Sequence, residues 1–133
     1  MKKVLFIDDE KITEALCSNL EQFAFYVTHL QDYSLLDNEL TKGYDAIILD
    51  VMMPICSSFF SKDEIIKAEG GRRTGIVLFD RIRIKYPKMP VVFYSSIQDR
   101  INCDEYAVIA SKPQLTKSLA KIVNDLIEKV EKS

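Results

Sequence analysis

Asp8 and Asp9 follow the apolar run Val4-Leu5-Phe6-Ile7, and Asp50 follows Ala46-Ile47-Ile48-Leu49. Two carboxylates about 4 Å apart repel by roughly 4 kcal/mol at an effective dielectric near 20. Three gathered in one cleft must therefore share a proton or hold a cation. An all-oxygen set with no histidine or cysteine beside it in sequence favours a hard ion such as Mg²⁺ over zinc. Mg²⁺ keeps several waters and reaches substrate phosphate through one or two carboxylates, which suits phosphoryl transfer. In that chemistry Asp50 is the nucleophile and ends as an aspartyl phosphate. Ser95, after Val91-Val92-Phe93-Tyr94, can donate a hydrogen bond to a phosphoryl oxygen. Lys112, after the run from Ala107 to Ala110, can pair with the same group as a point charge.

Each residue alone also has an ordinary explanation. Asp8-Asp9 fits an acidic pair at a helix N-terminus, Ser95 a polar strand end, and Lys112-Pro113 a strand-ending turn. Only proximity to Asp50 separates the two accounts, so the elements that carry these residues decide the matter.

Apolar runs alternate with helical patterns five times, the mark of a βα-repeating chain. The expected strands are roughly 3–7, 26–30, 46–49, 91–94 and 107–110. The third has four apolar residues without alternation, as a strand buried on both faces requires, whereas Tyr26-Val27-Thr28-His29-Leu30 alternates like a half-exposed edge. Right-handed crossovers then give an α/β, doubly wound, five-stranded parallel sheet of order 2-1-3-4-5 in three α/β/α layers. That order sets the carboxyl ends of strands one and three side by side, where open sheets bind ligands. Helices are expected from about Lys11, with Ile12, Ala15, Leu16, Leu20 and Phe23 inward; from Ser34 to Thr41, ended at Gly43; across Ile76 to Tyr86; and along the stripe Leu115, Leu119, Ile122, Val123, Leu126, Ile127 and Val130.

Two connections depart from the minimal plan. About twenty residues, 55–74, separate Pro54 from the third long helix pattern; they contain Phe59-Phe60, a possible helical turn at 63–68, and Gly70-Gly71-Arg72-Arg73-Thr74-Gly75. Loops of this length are functional or mobile. Phe59 and Phe60 either tuck beneath this insert or face a partner, and Arg72 and Arg73 are either solvated or an anion or partner contact. Conversely, only about a dozen residues, 95–106, join strands four and five, so the crossover helix there is expected to be short or irregular.

The 133 residues suit one domain with a proper core. With 47% hydrophobic residues the chain is not disordered, and no apolar run approaches a membrane span. The N-terminus does not read as a signal peptide, so a cytoplasmic protein is expected. Cys17, Cys56 and Cys103 are odd in number and scattered, which suits reduced thiols. A net charge of -2 without a basic run gives no footprint for direct nucleic-acid binding. His29, on the outer face of an edge strand, reads as solvated.

Together, Asp8-Asp9, Asp50 with Met53-Pro54, Ser95, and Lys112-Pro113, each after its strand, resemble a response-regulator receiver domain along essentially the whole chain. The resemblance implies a flavodoxin-like fold and a non-enzymatic signalling module. Asp50 would be the phosphoacceptor; Asp8 and Asp9, with Asp50 and the Met52 carbonyl, would hold Mg²⁺; Ser95 would be the switch hydroxyl and Lys112 the phosphate-binding lysine. It also implies a cis Lys112-Pro113 bond. The partners implied are a sensor histidine kinase or phosphotransfer protein and a downstream protein target, with the chain a monomer or weak homodimer. Because the sequence stops soon after the last helix, output by protein–protein interaction is expected rather than through a fused domain.

Some positions differ from the family pattern. Ile109 stands where receivers carry an aromatic three residues before the lysine, and Tyr106 lies three residues earlier still. The short crossover alters a face many receivers use for output, so partner recognition is expected to move to the insert. Met52 and Ile97, two residues after Asp50 and Ser95, have no group to position an attacking water, which implies slow self-dephosphorylation. Three alternatives stand beside this reading. A pseudo-receiver would bind partners without phosphate. A Mg²⁺-dependent phosphohydrolase of the haloacid-dehalogenase type wants Asp-x-Asp and then a hydroxyl residue, which Asp8-Asp9-Glu10-Lys11 does not supply. A flavodoxin-type cofactor site would need a Ser/Thr/Gly-rich first loop, also missing.

Overall fold

The computed structural model describes residues 1–96 and 100–133. Five parallel strands, β1 (Lys2–Ile7), β2 (Phe25–Leu30), β3 (Ala46–Leu49), β4 (Val91–Ser95) and β5 (Ala107–Ser111), form one sheet in the order β2-β1-β3-β4-β5. The expected topology holds. Side-chain alternation sorts the apolar strand residues onto two faces. Val4, Phe6, Ala46, Ile48, Val92 and Tyr94 pack with α1 (Thr13–Leu20) and α5 (Thr116–Glu131). Leu5, Ile7, Ile47, Leu49, Val91 and Phe93 pack with α2 (Leu36–Leu40) and α4 (Thr74–Lys85) on the other side. Both faces are covered, which is why β3 reads as an unbroken apolar run.

Several local readings need correction. The inward face of α1 is Thr13, Cys17 and Leu20; Ile12 lies before the helix and is 78% exposed. Leu115 likewise stands just ahead of α5 and is exposed, while Leu119, Val123, Leu126 and Ile127 make the buried stripe. Ile12 and Leu115 match the helical period but precede the point where their helices turn onto the sheet, and Ala15 and Phe23, also expected inward, are exposed. The second helix is a short 3₁₀ turn, Tyr33–Leu35, that runs into α2, and Gly43 closes the following turn at φ +82°.

The insert is an ordered unit. It contains a helix, α3 (Lys62–Lys67), started by a capping box in which Ser61 and Glu64 each accept a backbone N–H from the other. Phe60 is buried and stacks on Tyr33 with ring centroids 5.5 Å apart, and Phe59 meets the same ring edge-on. Both aromatics therefore tuck inward. Arg81 of α4 pairs with Glu64 at 2.6 Å, donates to the Phe59 carbonyl and lies 4.0 Å above the Phe59 ring. The Arg81 pair holds the Glu64 carboxyl far down, at a pKa of about 2. Between β4 and β5, residues 100–106 form no helix.

Candidate functional site

Asp8 lies one residue beyond β1 and Asp50 one beyond β3, so the strand pairing itself brings them together. The ladder runs to Ile7 opposite Leu49 and continues with the Asp50 N–H donating to the Ile7 carbonyl at 3.0 Å. One oxygen from each of Asp8, Asp9 and Asp50 can be chosen so that all lie within 4.8 Å of one another. Asp8 and Asp50 are 2% and 5% exposed, and Asp9 is half-buried. The Asp8 carboxylate accepts from the Glu10 N–H and the Thr13 hydroxyl, both at 2.9 Å.

Lys112 reaches in from the end of β5, its Nζ 3.1 Å from Asp50 Oδ1 and 3.7 Å from Asp8 Oδ2. Burial is the largest influence on Asp50 and pushes its pKa up to about 6; Lys112 opposes this and Asp8 adds to it. Burial pulls the Lys112 ammonium down, but Asp50 and Asp8 outweigh it and leave its pKa above the ordinary lysine value. One cation therefore does not balance the cluster. Three carboxylates against one ammonium leave two negative charges, which a single divalent cation cancels. Hard oxygen donors with that deficit fit Mg²⁺ and give zinc nothing it prefers.

Ser95 ends β4 opposite Ser111 and is only 1% exposed, and its carbonyl accepts from the Lys112 N–H at 3.0 Å. The Lys112–Pro113 bond is cis, as expected. Met52, two residues past Asp50, is 43% exposed. Ile97 lies outside the described residues.

Sequence reasoning missed the residues that hold the loop after Asp50. Gly75, at the start of α4, lies so close to β3 that a Cβ would stand 2.1 Å from the Asp50 carbonyl oxygen; its N–H donates to Val51 at 2.9 Å. Thr74, fully buried, donates to the Met53 carbonyl at 2.6 Å, and Met53 N–H donates to Gly71 at 3.1 Å. The Tyr33 hydroxyl donates to the Pro54 carbonyl and accepts from the Cys56 N–H, both at 2.6 Å. Gly71 and Gly75 thus serve close backbone approach, whereas Gly70, with open space around it, serves a turn at φ +67°. Arg73 is tied to Glu69 at 3.6 Å and to the Arg100 carbonyl at 2.6 Å, whereas Arg72 is exposed. A second omission is Tyr94, whose ring lies 5.4 Å below Lys112 Nζ and whose hydroxyl accepts from the Gln114 N–H. His29 is not simply solvated: its Nε2 sits 2.8 Å from the Asp8 carbonyl oxygen.

No family model and no curated protein matches the chain in sequence. Solved structures match it over nearly their whole length. A response-regulator receiver domain protein from Clostridium thermocellum superposes with a TM-score of 0.75 at 22% identity, covering 98% of each chain. The chain has the receiver-domain fold. The signal receiver domain of a Syntrophus aciditrophicus histidine kinase gives 0.74 at 20% identity, covering 100% of this chain and 95% of its own. The receiver domain of Francisella response regulator 1452 gives 0.68 at 24%, covering 97% and 98%. Against the receiver pattern, Ile109 is half-buried in the sheet core, and no aromatic occupies its place. No helix among the described residues is long and apolar enough to cross a membrane.

Proposed function

We propose that this chain is a cytoplasmic phosphoacceptor module that signals by binding another protein. Asp50 receives the phosphoryl group from a phosphohistidine on a sensor histidine kinase or phosphotransfer protein. A carboxylate oxygen of Asp50 forms the new P–O bond in line as the P–N bond breaks, and the departing imidazole keeps the electron pair. Asp8, Asp9, Asp50 and the Met52 carbonyl would hold Mg²⁺, which when bound neutralises charge on the phosphoryl oxygens. Lys112 moves its pairing from Asp50 to the phosphoryl group, and Ser95 donates to one of its oxygens. The chain acts as a substrate that assists its own modification rather than as an enzyme.

The observation that carries this reading is the buried contact of Lys112 with Asp50 beside two further carboxylates. Incubation with Mg²⁺ and acetyl phosphate should add the mass of one phosphoryl group to the intact chain. Asp50→Asn and removal of Mg²⁺ should each abolish the addition. An unmodified wild-type chain would favour the pseudo-receiver alternative. Met52 presents a thioether to solvent where a polar group would be needed to orient water, so Met52→Asn should shorten the phosphoryl lifetime.

A further inference from the structure

The edge strand reaches over the acidic pair in a way that strand pairing does not require. The Asp8 N–H continues the β1–β2 ladder by donating to the Leu30 carbonyl at 3.2 Å. The Asp8 carbonyl meets His29 Nε2 at 2.8 Å. Two residues on, the Gln31 side-chain amide reaches the Asp9 carbonyl at 3.4 Å. His29 near the end of β2 and Gln31 just past it thus both bond the backbone of the acid pair.

A carbonyl oxygen can only accept, so His29 donates from Nε2. Its Nδ1 is buried and has no hydrogen-bond partner among the described residues. Phe6 packs edge-on against the ring with centroids 6.4 Å apart. A buried ring nitrogen left unpaired costs free energy, so the ring is oriented for its single bond to Asp8.

We propose that His29 is a positioning residue for Mg²⁺: its bond to the Asp8 carbonyl sets the plane of the Asp8–Asp9 peptide and so aims the Asp9 carboxylate. Asp8 needs little help, since Glu10 and Thr13 already hold its carboxylate. The half-buried Asp9 depends on the peptide that precedes it. Mg²⁺ demands near-octahedral geometry, so a peptide free to rotate lowers affinity without altering the ligand list. Groups that orient metal ligands typically change affinity by 10–100-fold when removed.

This inference rests on the Mg²⁺ reading above, and the test separates the two. Calorimetric titration of the full chain with Mg²⁺ compares wild type, His29→Gln and His29→Asn. A glutamine amide nitrogen reaches about as far as Nε2, whereas that of asparagine stops near Nδ1. His29→Asn should bind about tenfold more weakly, and His29→Gln should stay within about threefold of wild type. Wild-type affinity in His29→Asn, or equal weakening in both variants, overturns the positioning role. A wild-type chain that takes up no Mg²⁺ overturns the metal reading itself.

Discussion

Two connections flank the sheet edge that carries Asp50 and are held by different forces. The insert between β3 and α4 is fastened by apolar burial: Phe60, Phe59 and Tyr33 pack together, and Arg81 lies across them. The connection from β4 to β5 has Ile101 packed on the core but is pinned chiefly by two arginines of the α4 region. Arg73 donates to the Arg100 carbonyl, and Arg83 forms a two-pronged bond with Asp104 at 2.6 and 3.0 Å. Area removed from water stabilises at any ionic strength, whereas partly exposed ion pairs contribute less and weaken with salt. The first connection therefore behaves as part of the core. The described part of the second, residues 100–106, rests more on polar contacts with the α4 region.

Phe60→Ala breaks the apolar side and should cost about 3 to 5 kcal/mol in urea unfolding. A cost below 1 kcal/mol would mean the insert is an appendage. Tyr33→Phe keeps the ring but leaves the Cys56 N–H and Pro54 carbonyl without their hydroxyl partner, so about 1 to 2 kcal/mol is expected. Arg83→Met removes the Asp104 pair and the donors to the Tyr86 and Met89 carbonyls, so about 1 kcal/mol is expected, with faster amide exchange at 100–106 and unchanged exchange at 62–71. Added salt should reproduce the Arg83→Met exchange pattern in wild type.

The smallest effect is a pH window. Asp50, raised to about 6, takes up protons more readily than the unfolded chain does, so its own contribution to stability falls as pH rises through about 4 to 6. Mg²⁺ held at Asp50 would compete with that proton, so its affinity should weaken as pH drops through 6. Asp104, lowered chiefly by Arg83, has the opposite sign: its contribution is present above the ordinary carboxylate pKa and is lost in stronger acid. Between about pH 4 and 6 Mg²⁺ binding should be lost while amide protection at 55–74 and 100–106 is kept. Calorimetry with Mg²⁺ and amide exchange across that range would test the ordering.

The site was legible because each of its residues ends a strand, and a parallel sheet aligns strand ends without needing any particular side chain to steer them. The capping box at Ser61 and Glu64 was equally present in the sequence, but only α4 supplies the Arg81 that gives it a docking place. The tightness around Gly75 was not legible, since glycines before a helix pattern read the same whether they bend a loop or admit a neighbouring backbone. His29 was misread for a related reason: alternation along β2 says which way the ring points, not that the Asp8 carbonyl waits there.

Local pattern by itself determined the strand order, the two-faced core and the gathering of Asp8, Asp9, Asp50 and Lys112. These follow from periodicity and from the rules that join parallel strands, both of which act over short stretches of chain. Tertiary structure alone decided that residues 55–74 are a packed unit, that α4 clasps both connections, and that the edge strand straps the acid pair. Those outcomes depend on contacts between residues about 17 to 30 positions apart, whose strength comes from burial and geometry that exist only once the layers have closed.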